Sequence, residues 1–277
     1  MAVLLAAFSS VLFGTADFMG GVAARRASAV SIVFASHLAG LAVVAASIPA
    51  FGGEAGPDDL LWGAAAGASG AWALALFYHG LATTRVAVIA PVAAVVGTML
   101  PVLFGLWAGE RPAAAAWAGV AVAFPAFVLL GSGHGTAGRA ATRRAAALGV
   151  LVGVGFGLFS IFLSRTGADS GMWPLVPARA ASLAAIAVGA PFLRAPLLPP
   201  AAILPFAALV GTIDMSANIL FLLAVRRGLL ALVSVVIALY PAVTVIGARL
   251  VFRERIHRPQ VAGLALAAVS VSLIAVG

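Results

Sequence analysis

The chain consists of long apolar segments separated by short stretches that carry arginine, acidic residues, proline and glycine. A helix needs about 20 consecutive apolar residues to cross a bilayer, and the chain offers ten such segments. The predicted transmembrane helices cover residues 3–22, 29–50, 60–80, 86–108, 113–131, 146–164, 174–193, 202–224, 229–250 and 260–277. The longest connection, residues 131–145, divides them into five and five.

The second group of five helices repeats the first at an offset of 144 residues. Glu110-Arg111 recurs as Glu254-Arg255, and each glutamate is followed nine residues later by a glycine, Gly119 or Gly263. An odd number of helices in each repeat requires the second repeat to be inserted upside down, as in many secondary transporters. The predicted fold is therefore an all-α polytopic membrane protein with ten transmembrane helices in two inverted five-helix repeats. Its predicted domains are residues 1–133 and 146–277, joined by residues 134–145.

Composition supports a membrane protein and removes several kinds of chemistry. Hydrophobic residues make up 64% of the chain and charged residues only 9%, whereas soluble proteins carry about 25% charged residues. There is no cysteine and no lysine, which excludes thiol catalysis and a nucleotide-binding lysine of the Walker type. No metal-binding motif is apparent, so neither a metal nor a cofactor is expected.

The 16 basic residues are all arginines and lie mainly between the apolar segments. This placement indicates membrane topology and contact with lipid headgroups rather than nucleic-acid binding. Eleven arginines lie in the connections after the odd-numbered helices, counting Arg249 at the end of the ninth helix, against four arginines and five acidic residues in the other connections. The positive-inside rule then places the odd connections in the cytoplasm and both termini outside.

The chain resembles the ten-helix, EamA-type members of the drug/metabolite transporter superfamily. The resemblance rests on residues 13–18, on Gly109-Glu110-Arg111, and on Tyr240-Pro241 followed by residues 253–255. It implies two five-helix repeats around a central cavity, and export of amino acids or other small metabolites, or solute uptake. The alanine-rich composition with arginine in place of lysine suggests a bacterial genome, so the predicted location is the bacterial inner membrane. The resemblance also implies cytoplasmic termini, in conflict with the arginine count. Phe13 stands where the family usually has tryptophan.

Polar residues inside the predicted helices are the candidates for a substrate or proton site, because a charge there is costly and usually functional. Asp17 and His37 lie at similar depth on consecutive helices and can form a carboxylate–imidazole pair that binds a proton or an ammonium group. A neutral structural hydrogen bond is the alternative. Asp214 lies in the middle of the eighth helix, and Asn218 follows one turn later on the same face.

Three further side chains complete the candidate set. Arg179, in the first third of the seventh helix, can bind a substrate carboxylate through two hydrogen bonds or extend to the membrane surface. Trp72 and Tyr240 are aromatic residues at mid-helix that either line a cavity or pack in the core.

The repeated charge pairs have a different interpretation. Glu110 and Arg111, like Glu254 and Arg255, lie at helix boundaries where each arginine can neutralise its glutamate. These four residues are predicted to be structural elements of turns.

Two other functions compete with transport by a carrier. Gly67-Ala68-Ser69-Gly70 has the pattern of an intramembrane serine protease, but no histidine lies in a later predicted helix to act as its base. A non-transporting membrane scaffold is the second alternative. The predicted function is a secondary transporter, which is not an enzyme, acting on a small molecule and possibly on protons.

Overall fold

The computed structural model describes residues 1–83, 86–131, 139–252 and 257–277. All regular structure in these ranges is helical. The helices are α1 (Ala2–Ala23), α2 (Ala29–Phe51), α3 (Pro57–Thr83), α4 (Val86–Trp107), α5 (Ala114–Gly131), α6 (Arg139–Ser164), α7 (Leu175–Phe192), α8 (Leu204–Val225), α9 (Leu230–Ile237), α10 (Pro241–Phe252) and α11 (Arg258–Val276). A single 3-10 turn, Ala168–Ser170, lies between α6 and α7.

The described helices confirm a polytopic membrane protein. Nine apolar segments in this part of the chain are long enough to cross a bilayer, and α9 and α10 together form one of them, Leu230–Val251. The tenth apolar segment, Ala114–Leu130 in α5, is slightly shorter. These ten segments correspond to the ten predicted from the sequence.

The ninth predicted helix is interrupted near its middle. Residues 238–240 form a turn between α9 and α10, and Pro241 begins the second piece. Proline has no backbone N–H to donate, and its ring collides with the preceding turn of a helix. The interruption lies within the span, where its backbone groups are enclosed by protein rather than lipid: Leu239 and Tyr240 are both buried.

The fifth helix of each repeat packs against its counterpart in a reciprocal way. A Cβ added to Gly119 would lie 2.7 Å from Cγ1 of Ile274, and one added to Gly263 would lie 2.8 Å from the backbone nitrogen of Leu130. Adding 144 to Gly119 gives Gly263, and adding 144 to Leu130 gives Ile274. The beginning of α5 thus contacts the end of α11 and the reverse, so these two corresponding helices are antiparallel.

A second reciprocal pair joins the middle of the two repeats. Gly67 of α3 lies against the backbone carbonyl of Ala178 in α7, and Gly211 of α8 lies against that of Ser36 in α2. The two glycines are separated by 144 positions in the sequence, and their partners Ser36 and Ala178 are separated by 142, so both members of each contact follow the repeat. Small residues let helices approach closely where no hydrophobic effect drives their association. The duplicated sequence is therefore folded as two inverted copies that exchange the same contacts.

One end of the helix bundle is held together by hydrogen bonds between its connections. Asp59 accepts from the backbone N–H groups of Gly167 at 2.6 Å and Gly56 at 2.9 Å. Arg226 donates to the carbonyl of Gly171 at 2.6 Å and to the hydroxyl of Ser170 at 2.8 Å. Burial lowers the pKa of the Arg226 guanidinium, while the charges of two nearby carboxylates act in the opposite direction.

Glu110 contributes to this end of the bundle with a partner that the sequence did not indicate. Its carboxylate accepts hydrogen bonds from the backbone N–H groups of Leu230 at 2.7 Å and Ala231 at 3.0 Å. It therefore caps the first turn of α9, where unpaired N–H groups favour an anion. Arg111, its predicted partner, is exposed. Glu254 and Arg255 lie outside the described residues.

Candidate functional site

A cavity of about 130 Å³ lies between the two repeats. One water molecule takes about 10–15 Å³ of a volume measured in this way, so the cavity has room for roughly ten water molecules. Most of its wall is apolar. The residues that line it are Phe13, Asp17, His37, Gly67, Gly70, Ala71, Leu74, Ala93, Ala94, Gly97, Phe156, Phe159, Ser160, Leu175, Ala178, Arg179, Ser182, Asp214, Asn218, Phe221, Ser234, Ile237, Ala238 and Tyr240.

An ion pair between two helices of the second repeat forms part of the wall. Arg179 of α7 donates through Nη2 to Oδ2 of Asp214 in α8, and the two side chains are only 9% and 10% exposed. Asn218 lies one turn after Asp214 and donates through Nδ2 to the same carboxylate oxygen at 3.3 Å. The charge of Asp214 is therefore compensated by Arg179 and further stabilised by Asn218.

The first repeat makes room for this ion pair. A Cβ added to Gly40 in α2 would lie 3.2 Å from Nε of Arg179. Because glycine has no side chain, the guanidinium can pass between α2 and α8 and reach Asp214. Arg179 thus lies within the bundle and does not extend to the membrane surface, which was the alternative interpretation of its sequence position.

His37 faces the same cavity from α2. Its Nδ1 shares a hydrogen bond of 2.5 Å with the hydroxyl of Ser182 in α7, and its Nε2 has no hydrogen-bond partner in the described part of the protein. The predicted bond between His37 and Asp17 is not formed, since neither ring nitrogen binds the carboxylate. The sequence placed both residues at a similar depth but did not show which helix face each one occupies.

Asp17 is the second carboxylate of the cavity, and its situation differs from that of Asp214. It is 6% exposed and accepts no hydrogen bond from the described residues. It lies within electrostatic range of Asp214 and of the Tyr240 hydroxyl. The hydroxyls of Tyr240 and Ser234 are also buried in the cavity wall without a partner in the described ranges.

The structure brings six of the seven candidate residues to this cavity, and Trp72 is the exception. Its side chain is 37% exposed and is absent from the cavity wall. The sequence did not identify Ser160, Ser182 and Ser234 as lining residues. Nor did it indicate α4 and α6, which contribute mainly small and aromatic residues. Serine and glycine are common in packed membrane helices, so their presence carried no signal.

Ser69 shows no sign of activation as a nucleophile. Its hydroxyl donates to the carbonyl of Ala66 in its own helix at 2.9 Å. Such a bond to the preceding turn is the usual state of a serine in a membrane helix.

Comparisons with known proteins agree with this architecture. A crystal structure aligns with 98% of this chain and 95% of its own chain, with a TM-score of 0.76 and 17% sequence identity. At that identity the likeness shows a shared fold and nothing about substrate. No curated protein matches the sequence. The family model of the EamA-like transporter family matches residues 143–276. Residues 143–276 are therefore similar to the EamA-like transporter family, which belongs to the drug/metabolite transporter superfamily.

Proposed function

We propose that the protein is a secondary transporter of the bacterial inner membrane that exports small metabolites such as amino acids. The observation that carries this proposal is the cavity between two inverted repeats. It contains a buried ion pair and a second carboxylate, in spans that are otherwise almost entirely apolar. Membrane proteins rarely keep such charges away from a substrate or ion pathway.

Alternating access is the mechanism that this arrangement supports. Inverted repeats can exchange conformations, so that the same site opens first to one side of the membrane and then to the other. The reciprocal glycine contacts supply the two equivalent interfaces that such an exchange needs. The interruption before Pro241 supplies a bend beside the cavity.

Asp17, His37, Arg179, Asp214, Asn218 and Tyr240 form the proposed substrate and proton site. Protonation of Asp214 would weaken its bond to Arg179 and change the charge of the cavity. The two carboxylates thus provide a means by which proton movement is coupled to transport.

The first test is a solute screen by thermal unfolding, because a ligand that binds only the folded protein raises its stability. Solutes that raise the unfolding temperature are then loaded into proteoliposomes, and their exchange with labelled external solute is measured. We expect exchange that depends on the protein. A solute that binds but never crosses, over a broad metabolite panel, would contradict a carrier.

The protease alternative is tested in the same preparation. Cleavage of a membrane substrate that disappears in Ser69→Ala would support a protease, and we expect solute exchange to be unchanged in that variant. A scaffold would show neither activity.

We infer from the arginine distribution that the end of the bundle containing Asp59 and Arg226 faces outside, together with both termini. Reporter fusions at Gly277 test this orientation. Periplasmic phosphatase activity is the expected result. Cytoplasmic fluorescence without phosphatase activity would show the opposite orientation.

A further inference from the structure

We propose that the substrate is a small organic amine with an apolar body and no free carboxylate, and that Asp17 binds its ammonium group. This inference rests on the proposed transport function and names the substrate class for the same cavity. It departs from the amino acids considered above, because an amino acid brings a carboxylate, and the described part of the cavity wall contains no guanidinium besides the one paired with Asp214.

The charges that line the cavity do not balance. Asp17 and Asp214 supply two carboxylates, and Arg179 supplies one guanidinium. Arg179 and Asp214 neutralise each other's charge, and Asn218 donates a further hydrogen bond to the same carboxylate. Asp17 is left as an almost fully buried carboxylate without a hydrogen-bond donor in the described ranges. An isolated buried carboxylate is strongly disfavoured as an anion unless it takes up a proton or a counter-charge reaches it. A substrate ammonium group that replaces the proton supplies such a counter-charge.

The same wall disfavours a substrate carboxylate. Arg179 is engaged by Asp214, and Gly40 fixes its path between α2 and α8. His37 lines the cavity, but its Nδ1 is engaged by Ser182, so it offers at most one hydrogen bond, through Nε2, where a free guanidinium would offer two. A zwitterion would therefore gain a partner for its amine at Asp17 and lose most of the hydration of its carboxylate.

The remaining wall fits the body of an apolar amine. Phenylalanine rings line the cavity from α1, α6 and α8, at Phe13, Phe156, Phe159 and Phe221. Aromatic rings bury apolar groups and also attract cations through their faces. Tyr240 belongs to the same wall as Asp17, and its hydroxyl, which has no partner in the described ranges, offers a second acceptor for the ammonium group.

The pseudo-symmetry of the chain shows that this place in the wall does not require a carboxylate for packing. Phe13-Gly14 of α1 corresponds to Phe156-Gly157 of α6 at an offset of 143 residues, which places Asp17 on Ser160. Ser160 also lines the cavity, but its hydroxyl donates to the carbonyl of Phe156 at 3.0 Å. Asp17 and Ser160 therefore differ in charge at equivalent places of the same wall.

The test compares three probes of the same shape: 2-phenylethylamine, phenylalanine and 3-phenylpropionate. Binding to the purified full-length protein is measured by thermal shift, and exchange is measured in proteoliposomes. We expect the amine to bind at least tenfold more tightly than the zwitterion or the anion. Asp17→Asn should weaken amine binding at least tenfold, and Asp17→Glu, which keeps the charge, should retain more affinity than Asp17→Asn. Thr212→Ala, on an exposed position of α8 outside the cavity wall, is the control and should stay within threefold of the wild type. Elution of every variant as a monodisperse peak verifies folding.

Three results would overturn the inference: equal binding of phenylalanine and the amine, full amine binding by Asp17→Asn, or no amine binding at all. If phenylalanine exchanges while the amine does not, the carrier function stands and the substrate class is wrong. If no member of the broad metabolite panel exchanges, the carrier function itself fails.

Discussion

The two repeats make equivalent helix contacts but present different chemistry to the cavity. Asp17 of the first repeat corresponds to Ser160 of the second, and Gly70 of the first corresponds to Asp214 of the second. All four residues line the wall, yet each pair contains one carboxylate and one neutral residue. Duplication thus accounts for the architecture, whereas the charges differ between the copies and make the site asymmetric.

The second and seventh helices show the same divergence. At their offset of 142 residues, His37 corresponds to Arg179. His37 bonds to Ser182, whereas Arg179 forms the ion pair with Asp214. The glycine contacts that hold these helices together remain equivalent in both copies. Packing positions have therefore kept their symmetry, and polar positions have not.

The largest effect is expected from removing the cation of the second repeat. Arg179→Met leaves Asp214 buried without its counter-charge, which typically costs about 3–5 kcal/mol. Chemical unfolding in detergent measures this loss. The double variant Arg179→Met/Asp214→Leu should recover most of the stability, because it removes both charges together. A double variant as unstable as the single one would show that the ion pair is not the cause.

The symmetry of the scaffold can be tested at its reciprocal glycines. Gly119→Leu and Gly263→Leu each force a side chain into a contact already below 3 Å, and each should cost about 1–3 kcal/mol by overpacking. Similar losses in unfolding free energy are expected for the two variants, since the contacts are equivalent. Gly189→Leu is the control, because nothing lies within 4 Å of a Cβ there. A large loss of unfolding free energy at only one of the two glycines would show that the two contacts are not equivalent.

The asymmetry of the charges is tested by neutralising one carboxylate. Asp214→Asn keeps the size of the side chain, and it should insert and fold normally while transport falls at least tenfold or changes its pH dependence. Tenfold corresponds to about 1.4 kcal/mol. Rates are measured in proteoliposomes from pH 5 to pH 8. Wild-type rates over that whole range would reduce Asp214 to a structural hydrogen-bonding residue.

The smallest effect concerns the connection that caps α9. Glu110→Gln weakens a charged cap of the helix and should cost about 1 kcal/mol. Arg111→Ala should change the unfolding free energy by less than about 0.5 kcal/mol, because exposed charges contribute little. Equal losses of unfolding free energy in the two variants would instead support the ion pair between Glu110 and Arg111 that the sequence predicts.

The sequence was sufficient for the ten spans, the duplication and most of the polar wall, because length, offset and rare intramembrane charges are visible in one chain. It was insufficient for the direction in which each helix faces. Membrane helices that are apolar all round have no polar face to mark their inward side, so the outward position of Trp72 was not apparent. The cap on α9 joins Glu110 to Leu230 and Ala231, and no local pattern links residues so far apart.

The pairing of α5 with α11 has a consequence for how the protein is made. The contact surface of Gly119 is completed by Ser270 and Ile274 of α11, which is synthesised after α6 to α10. At about 5–20 residues per second, the intervening chain takes roughly 7–30 s to synthesise. During that interval the face of α5 that packs on α11 has no partner from that helix. Translation speed and the insertion of α11 therefore determine when this helix pair can form.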